Sequence, residues 1–282
     1  MQDRPINFLI IGAAKCATTW LQRSLQNSPD IFMPGPELHF FSREFERGLD
    51  WYKAQFADAR SQTLLGEKSN SYLTEPVAAE RIHAAFPQAR LIVQMRDPVE
   101  RAYSDYCMLF RRGEVSGRVD QYLDPETAAN DRFIDHGRYA RHIRRFFDFF
   151  PPEQILLLFY EDIRTDPVQQ LRRVADHLGH QEDLAAPLAE KVKDRTAHMV
   201  PLRIRDALRP LRPILDPVRD TKVLRLLREV IAQPIQYPPL SDKTAQNLRR
   251  YYERDISDLE DIAGRDLAIW KTEVKRNPAR NA

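Results

Sequence analysis

The feature that most constrains the fold is the stretch Phe8-Leu9-Ile10-Ile11-Gly12-Ala13-Ala14-Lys15-Cys16-Ala17-Thr18-Thr19-Trp20-Leu21. A continuous apolar run stops at a glycine, a single lysine follows, and a helical pattern restarts on two hydroxyl residues. An apolar run of this kind reads as a strand buried on both faces, which belongs in a parallel sheet covered by helices. Gly12 is read as the residue that permits the turn. Backbone N–H groups in the first turn of a helix lack intrahelical partners and carry the positive end of the dipole, so an anion placed there gains hydrogen bonds and field together. Each such contribution is about 0.3 to 1 kcal/mol when exposed, so Lys15 must add a full charge. Strand, loop and helix start describe a phosphate cradle.

The nucleoside triphosphatase pattern G-x-x-x-x-G-K-[ST] is met only in part. Lys15 follows Gly12 by three residues, Cys16-Ala17 precede Thr18-Thr19, and neither a second glycine nor a Lys-Ser/Thr pair is present. A kinase or nucleoside triphosphatase therefore stands as the alternative; it also requires Mg²⁺ and a metal-binding carboxylate at a strand end, and the sequence offers no persuasive one. A non-catalytic nucleotide-binding scaffold is a further alternative.

Later segments supply more polar groups at strand ends. A helix over about Thr18 to Gln26 buries Leu21 and Leu25, and the Pro34-Gly35-Pro36 loop then delivers Glu37-Leu38-His39-Phe40-Phe41. Two prolines restrict that approach, and a carboxylate beside a histidine among aromatics suits a general base, although the segment by itself is better explained as a surface Glu next to a Phe-Phe core anchor. Leu64-Leu65-Gly66-Glu67-Lys68-Ser69-Asn70-Ser71-Tyr72 reads as a sheet-edge loop offering a cation, Lys68, opposite Lys15. Arg90 to Met95 is a buried strand, followed by Arg96-Asp97-Pro98-Val99-Glu100. Asp97 is the N-cap, Pro98 the first helical residue, and Glu100 completes a capping box. Arg96 then lies at a strand's carboxyl end with Ser104 about 10 Å along the helix, a fork and a hydroxyl suited to a second phosphate.

Residues Phe110 to Asp131 carry Arg111-Arg112-Gly113 and then polar, acidic sequence, which reads as a mobile surface excursion. His136-Gly137-Arg138-Tyr139 opens a helix with a core face of Ile143, Phe146, Phe147 and Phe150, closed by Pro151-Pro152, and a strand over Ile155 to Phe159 and a helix from about Pro167 capped by Gly179 follow. A last helix, capped by Ser241, runs to about Ile262 and buries Ala245, Leu248, Tyr252, Leu259 and Ile262. Strand and helix alternate, which predicts an α/β fold: a P-loop-like three-layer arrangement with a central, mainly parallel sheet flanked by helices.

The chain of 282 residues carries 43 Lys and Arg against 41 Asp and Glu, a near balance that gives no electrostatic footprint for nucleic acid. Two cysteines, Cys16 and Cys107, are too few for a disulfide framework, and the start lacks the profile of a signal peptide, so a reduced, cytoplasmic protein is expected. No Gly/Ser-rich linker divides the sequence, and one domain over 1–282 is expected. Within it, a basic Pro/Leu/Arg-rich helical insertion spans about 196–239. That insertion suits an anionic acceptor, a membrane or lipid-linked acceptor, or a partner; short helices with solvated faces explain it equally well.

Four motifs in order, Gly12 to Thr19, Glu37 to Phe41, Glu67 to Tyr72, and Arg96-Asp97-Pro98 through Ser104-Asp105-Tyr106, resemble the sulfotransferases that use 3′-phosphoadenosine 5′-phosphosulfate (PAPS). The similarity is greatest to the heparan-sulfate N- and 3-O-sulfotransferase branch and its bacterial relatives. It continues more weakly through His136-Gly137-Arg138-Tyr139 and Tyr160-Glu161-Asp162. The resemblance implies that PAPS is the co-substrate and PAP the product, with no metal. It implies that Lys15, Cys16, Ala17, Thr18, Thr19 and Trp20 hold the 5′-phosphosulfate, and that Arg96 and Ser104 hold the 3′-phosphate. Glu37 would be the general base, next to His39, and Lys15 and Lys68 would stabilise charge on the leaving oxygen. The implied acceptor is a carbohydrate, glycolipid or hydroxylated metabolite. The basic Lys-Gly-Arg segment that closes over the nucleotide in the heparan enzymes has no clear counterpart; Asp194-Arg195-Thr196-Ala197-His198 sits at a comparable place without an assigned role.

Overall fold

The computed structural model describes residues 4–128, 131–186 and 235–272. Among the described residues there are five strands, β1 (Phe8–Gly12), β2 (Ile31–Phe32), β3 (Leu64–Lys68), β4 (Arg90–Met95) and β5 (Ile155–Phe159). They form one sheet in the order β2-β3-β1-β4-β5, parallel at every pairing. The helices up to the middle of the chain are α1 (Thr18–Gln26), α2 (Gly48–Ala54), α3 (Ala78–Ala85), α4 (Pro98–Arg112), α5 (Asp120–Leu123) and α6 (Arg132–Asp135). After them come α7 (Tyr139–Phe147), α8 (Tyr160–Thr165), α9 (Pro167–Leu178), α10 (Asp242–Ala263) and α11 (Ala268–Lys271). The α/β fold expected from the alternation is the fold observed. Among the described residues no helix is long and apolar enough to cross a membrane.

The unbroken apolar run of β1 follows from its place in the middle of the sheet. Alternate side chains of a strand point to opposite faces. Phe8 and Ile10 enter a core with Leu21 and Leu25 of α1 and Leu171, Val174 and Leu178 of α9. Leu9 and Ile11 enter the opposite core, with Ile82 of α3, Ala102 of α4, Ile143 of α7 and Leu248 of α10. Each such fully buried side chain contributes about 1.5–3 kcal/mol relative to exposure. The order of the strands reverses at β1, with β3 on one side and β4 on the other. In open parallel sheets ligands bind in the crevice outside the carboxyl ends at such a point. Here the loops after β1, β3 and β4 meet there.

Several expectations are corrected by the packing. Gly12 is required by a close approach rather than by the turn: a Cβ there would lie 2.8 Å from Leu73 Cβ, whose residue also donates its N–H to the Ile11 carbonyl at 2.9 Å. The left-handed backbone of the loop falls instead on Lys15 and Ala17. Lys68 is the last residue of β3 and is buried, so the cation is offered by the strand end and not by the loop after it. Residues 110–128 are anchored to the core rather than mobile: Val119 and Leu123 are buried, and Tyr122 packs against Tyr106 and Phe133. In α10 the N-cap Ser241 accepts from Thr244 N–H at 3.1 Å as expected, but Ile262 is half-buried while Ile256 is in the core. On the same helix Asp255 is buried and caps α7, accepting from the N–H groups of Ala140 and Arg141 at 3.0 Å each. Of the proposed insertion at 196–239 only residues 235–239 fall within the described residues, and 194–198 lie outside them.

Candidate active site

At the carboxyl end of β1 the chain passes through Ala13 to Ala17 into α1. Lys15 (φ 71°) and Ala17 (φ 62°) adopt the left-handed region, which costs a non-glycine residue about 1–2 kcal/mol. Backbone strain of this kind concentrates where ligands are clamped. Ala17 is the N-cap, no side chain caps the helix, and its first residues Thr18, Thr19 and Trp20 border a cavity of about 790 Å³. Lys15 lines the same cavity and donates from Nζ to Met108 Sδ at 2.9 Å. Cys16 turns the other way. Its thiol is buried 3.6 Å from the Tyr139 hydroxyl, its carbonyl accepts from Gln94 Nε2, and burial pushes the thiol up to about 11. It is a neutral core thiol at physiological pH, so only its backbone is available to a ligand in the loop.

The Pro34-Gly35-Pro36 loop is tied to α1 by the buried Gln22, whose Nε2 donates to the carbonyls of Pro34 and Gly35 at 2.9 and 3.2 Å. This places Glu37 against the end of β3. Its carboxylate accepts from Lys68 Nζ at 3.0 Å and from Asn70 through both the backbone N–H (3.0 Å) and Nδ2 (2.9 Å). Burial works to raise its pKa, but Lys68 and the Asn70 N–H outweigh it, and the carboxyl is held below its ordinary value. Lys68 is almost fully buried and also reaches Thr19 Oγ1 at 3.4 Å, so one cation touches both the carboxylate and the anion loop. His39, at φ 50°, donates its N–H to Ser69 Oγ at 2.9 Å, and its Nδ1 lies 2.7 Å from Ser71 Oγ. Burial lowers the imidazole pKa more than Glu37 raises it, so the ring is neutral at pH 7. Its Nε2, 3.8 Å from Glu37, is beyond hydrogen-bond reach and makes no ion pair.

Arg96 follows β4. Its Nη2 is 3.3 Å from Glu100 Oε2, its guanidinium centre lies 4.9 Å from the Tyr160 ring centroid, and its carbonyl accepts from Tyr139 OH at 2.9 Å. Asp97 caps α4 by accepting from Val99 and Glu100 N–H at 2.8 and 3.2 Å. The capping box is not closed by Glu100, whose side chain turns to Arg96; Glu161 at the start of α8 takes the Asp97 N–H at 3.1 Å instead. Sequence spacing shows a local partner, whereas the one used comes from the neighbouring strand end. Arg96 and Ser104 both line the cavity, as do Arg112 and Arg132.

The candidate residues Lys15, Ala17, Thr18, Thr19, Trp20, Glu37, His39, Arg96 and Ser104 thus border one cavity, with Lys68 bonded to two of them. Sequence reasoning assigned no role to Asn70 or Tyr160. Asn70 follows Lys68 by two residues, and Tyr160 directly follows β5, so the strand-end rule that singled out Arg96 points to it as well. Asp105 also lines the cavity, its buried carboxylate 3.9 Å from Arg101 and 3.6 Å from Arg132, with neither oxygen hydrogen-bonded. One grouping with metal-ligand chemistry occurs among the described residues, Asp30, His180 and Glu182, with ligand atoms within 4.8 Å of one another; none of the three lines the cavity.

Human heparan sulfate glucosamine 3-O-sulfotransferase 6 is 36% identical to the chain over 176 residues, covering 61% of the chain and 51% of that protein. Human bifunctional heparan sulfate N-deacetylase/N-sulfotransferase 3 is 33% identical over 196 residues, covering 63% and 22%. The chain spans about half the length, or less, of these curated relatives. A sulfotransferase from Alicyclobacillus acidocaldarius superposes with a TM-score of 0.71 at 26% identity, covering 96% of this chain and 100% of that one. The family model described as the sulfotransferase domain matches residues 5–200, which contain every candidate residue above, and the chain belongs to that family.

Proposed function

We propose that the chain is a sulfotransferase that takes a sulfuryl group from PAPS and transfers it in line to a hydroxyl or amine of a carbohydrate acceptor, releasing PAP. The observation that carries this reading is the Glu37–Lys68 pair, 3.0 Å apart, joined through Thr19 to an anion-binding loop in a cavity that has a separate cationic end at Arg96. Bound there, PAPS supplies an activated sulfuryl group beside its 5′-phosphate. The donor set fits such a molecule. Lys15, Thr18, Thr19, Trp20 and the uncapped start of α1 suit the 5′ end, and Arg96 with Ser104 suits the 3′-phosphate.

Glu37 takes the acceptor proton. Held by Lys68 and Asn70 it is a weak base, because the bonds that stabilise its charge lower its proton affinity. Lys68 also contacts Thr19, so negative charge at the loop draws the ammonium away from Glu37 and raises the basicity of the carboxylate. Lys15 and Lys68 then stabilise charge developing on the leaving oxygen, the preorganised electrostatic effect on which group transfer of this kind depends. The carbohydrate acceptor is supported by relatives whose names specify heparan sulfate.

The test is calorimetric binding of PAP without metal against ADP with Mg²⁺, followed by transfer from labelled PAPS to a polysaccharide bearing free glucosamine hydroxyls and amines. PAP is expected to be preferred. Arg96→Ala should weaken it about 10- to 100-fold, the value of one or two charge-assisted bonds. Glu37→Gln should retain PAP binding and lose about 100- to 10,000-fold in turnover. Preference for ADP with Mg²⁺, or PAP binding indifferent to Arg96, would sink the assignment.

A further inference from the structure

We propose that Glu67, which does not line the cavity, is a positioning residue that holds the Glu37–His39 turn in its working geometry through Ser69. The kinetic part of this inference rests on the sulfotransferase reading; the structural part does not.

Glu67 is fully buried on β3, on the face that carries Leu65 into the core of Phe41, Tyr52 and Tyr72. Its Oε1 accepts from the Tyr72 hydroxyl and from the Tyr52 hydroxyl at 3.4 Å, and its Oε2 accepts from Ser69 Oγ at 2.8 Å. Among the described residues it forms no ion pair. A buried carboxylate stabilised by hydroxyls alone is unfavourable for folding.

Ser69 Oγ accepts the backbone N–H of His39 at 2.9 Å. A backbone N–H only donates, so the serine oxygen must accept there and its single hydrogen is left for Glu67, which as a carboxylate only accepts. The polarity of the relay from His39 through Ser69 to Glu67 is therefore fixed at both ends. His39 needs such a partner because its backbone sits in the left-handed region. The residue after Ser69, Asn70, holds both oxygens of Glu37. A shift of Ser69 thus moves the two contacts that set the base.

The relay depends on Glu67 being ionised. Burial pushes its pKa up to about 7, against the donors Tyr72, Ser69 and Tyr52, and Glu37 adds to the rise. The titratable groups that face it are Tyr52 from α2, Tyr72 from the segment after β3 and Glu37 from the turn; both tyrosines are pushed up and stay protonated donors. Below the pKa of Glu67 the protonated carboxyl carries a hydrogen of its own, and Ser69 is no longer obliged to orient toward it.

The test uses the full chain and the variants Glu67→Gln and Ser69→Ala. Both are expected to lower kcat about 10- to 100-fold, the scale of a roughly 1 Å misplacement, with the KM for PAPS and the affinity for PAP within about 2-fold of wild type. The double variant should fall little further. In wild type kcat should rise with pH through about 7, and this limb should vanish in Glu67→Gln, leaving one at lower pH from Glu37. Amide hydrogen exchange of His39 should accelerate in both variants. Wild-type kcat in Glu67→Gln, an unchanged acid limb, or unaltered exchange at His39 overturns the proposal. A wild type that transfers nothing from PAPS overturns the functional reading instead, while the exchange measurement still decides the anchoring role.

Discussion

The stability of Glu67→Gln relative to wild type should rise with pH, although the substitution removes a native hydrogen-bonded carboxylate. The native carboxyl titrates at about 7 against an ordinary 4.5. The folded state therefore holds the proton more tightly than the unfolded chain, and between these two values unfolding releases a proton. The contribution of a protonated Glu67 to stability is fully present below pH 4.5 and is lost as the pH rises through about 7. Integrated from pH 5 to pH 8, the loss is about 2.5 kcal/mol. The amide introduced by Glu67→Gln is neutral throughout and does not incur this loss. Whatever constant penalty the amide incurs against Tyr52, Tyr72 and Ser69 cancels when variant and wild type are compared across pH. So do the other raised carboxyls, including Asp97 at about 6, which both proteins share. Urea unfolding at pH 5, 6, 7 and 8 measures the effect directly. The difference, variant minus wild type, should grow by about 2.5 kcal/mol across that range, corresponding to about 5–10 °C in Tm for a domain of this size. A difference that stays flat within about 0.5 kcal/mol, or that shrinks as the pH rises, refutes both the burial argument and the ionised relay built on it.

Two further outcomes follow from the packing. Gly12→Ala places a Cβ 2.8 Å from Leu73 Cβ and should cost about 1–3 kcal/mol in urea unfolding, with weaker PAP binding because the strain adjoins the Lys15 loop. Asp255→Ala leaves the Ala140 and Arg141 N–H groups without their buried acceptor and should cost about 1–2 kcal/mol, whereas Asp255→Asn, which keeps an acceptor oxygen, should cost less.

Strands β1, β4 and β5 are legible in the sequence because each is buried on both faces and reads as a continuous apolar run. Caps are legible for the same local reason: Asp97, Ser241 and Gly179 act within a few residues of themselves. The segment around α5 and α6 is not. Leu123 and Phe133 are buried by partners on other helices, and a four-residue helix has too few positions to show a period. Within the site, Lys15, Glu37, Lys68 and Arg96 stand out as charges at strand ends. The partners that determine their state do not. Glu161 comes from the neighbouring strand end to take the Asp97 N–H, and Tyr139, 123 residues beyond Cys16 and 43 beyond Arg96, joins the Cys16 thiol to the Arg96 carbonyl. Burial of a charge depends on groups brought together by topology, so Glu67 and Lys68 look alike in sequence.

Those two residues differ because β3 is pleated and its register is held. Leu65 and Glu67 face the core that receives Leu9 and Ile11, whereas Gly66 lies against the ring of Phe8 and Lys68 reaches Thr19 of α1. Consecutive opposite charges therefore do not pair with each other. One is held by the hydroxyls beneath the Glu37–His39 turn and the other meets the base and the anion loop from above. A slip of one residue would turn each to the other face of the sheet, Lys68 toward the core that receives Leu9 and Glu67 toward the side of α1, where a carboxylate opposes an anion. Asn7 prevents the slip at the entry to β1: its N–H donates to the Leu65 carbonyl and its Oδ1 accepts the Leu65 N–H, each at 2.8 Å, while its own carbonyl accepts from Arg90 at the start of β4 at 2.8 Å. Ser69 N–H closes the other end on the Ile10 carbonyl at 3.0 Å. The polarity of the site is thus a consequence of strand register, set by an asparagine at the opposite end of the sheet from the cavity.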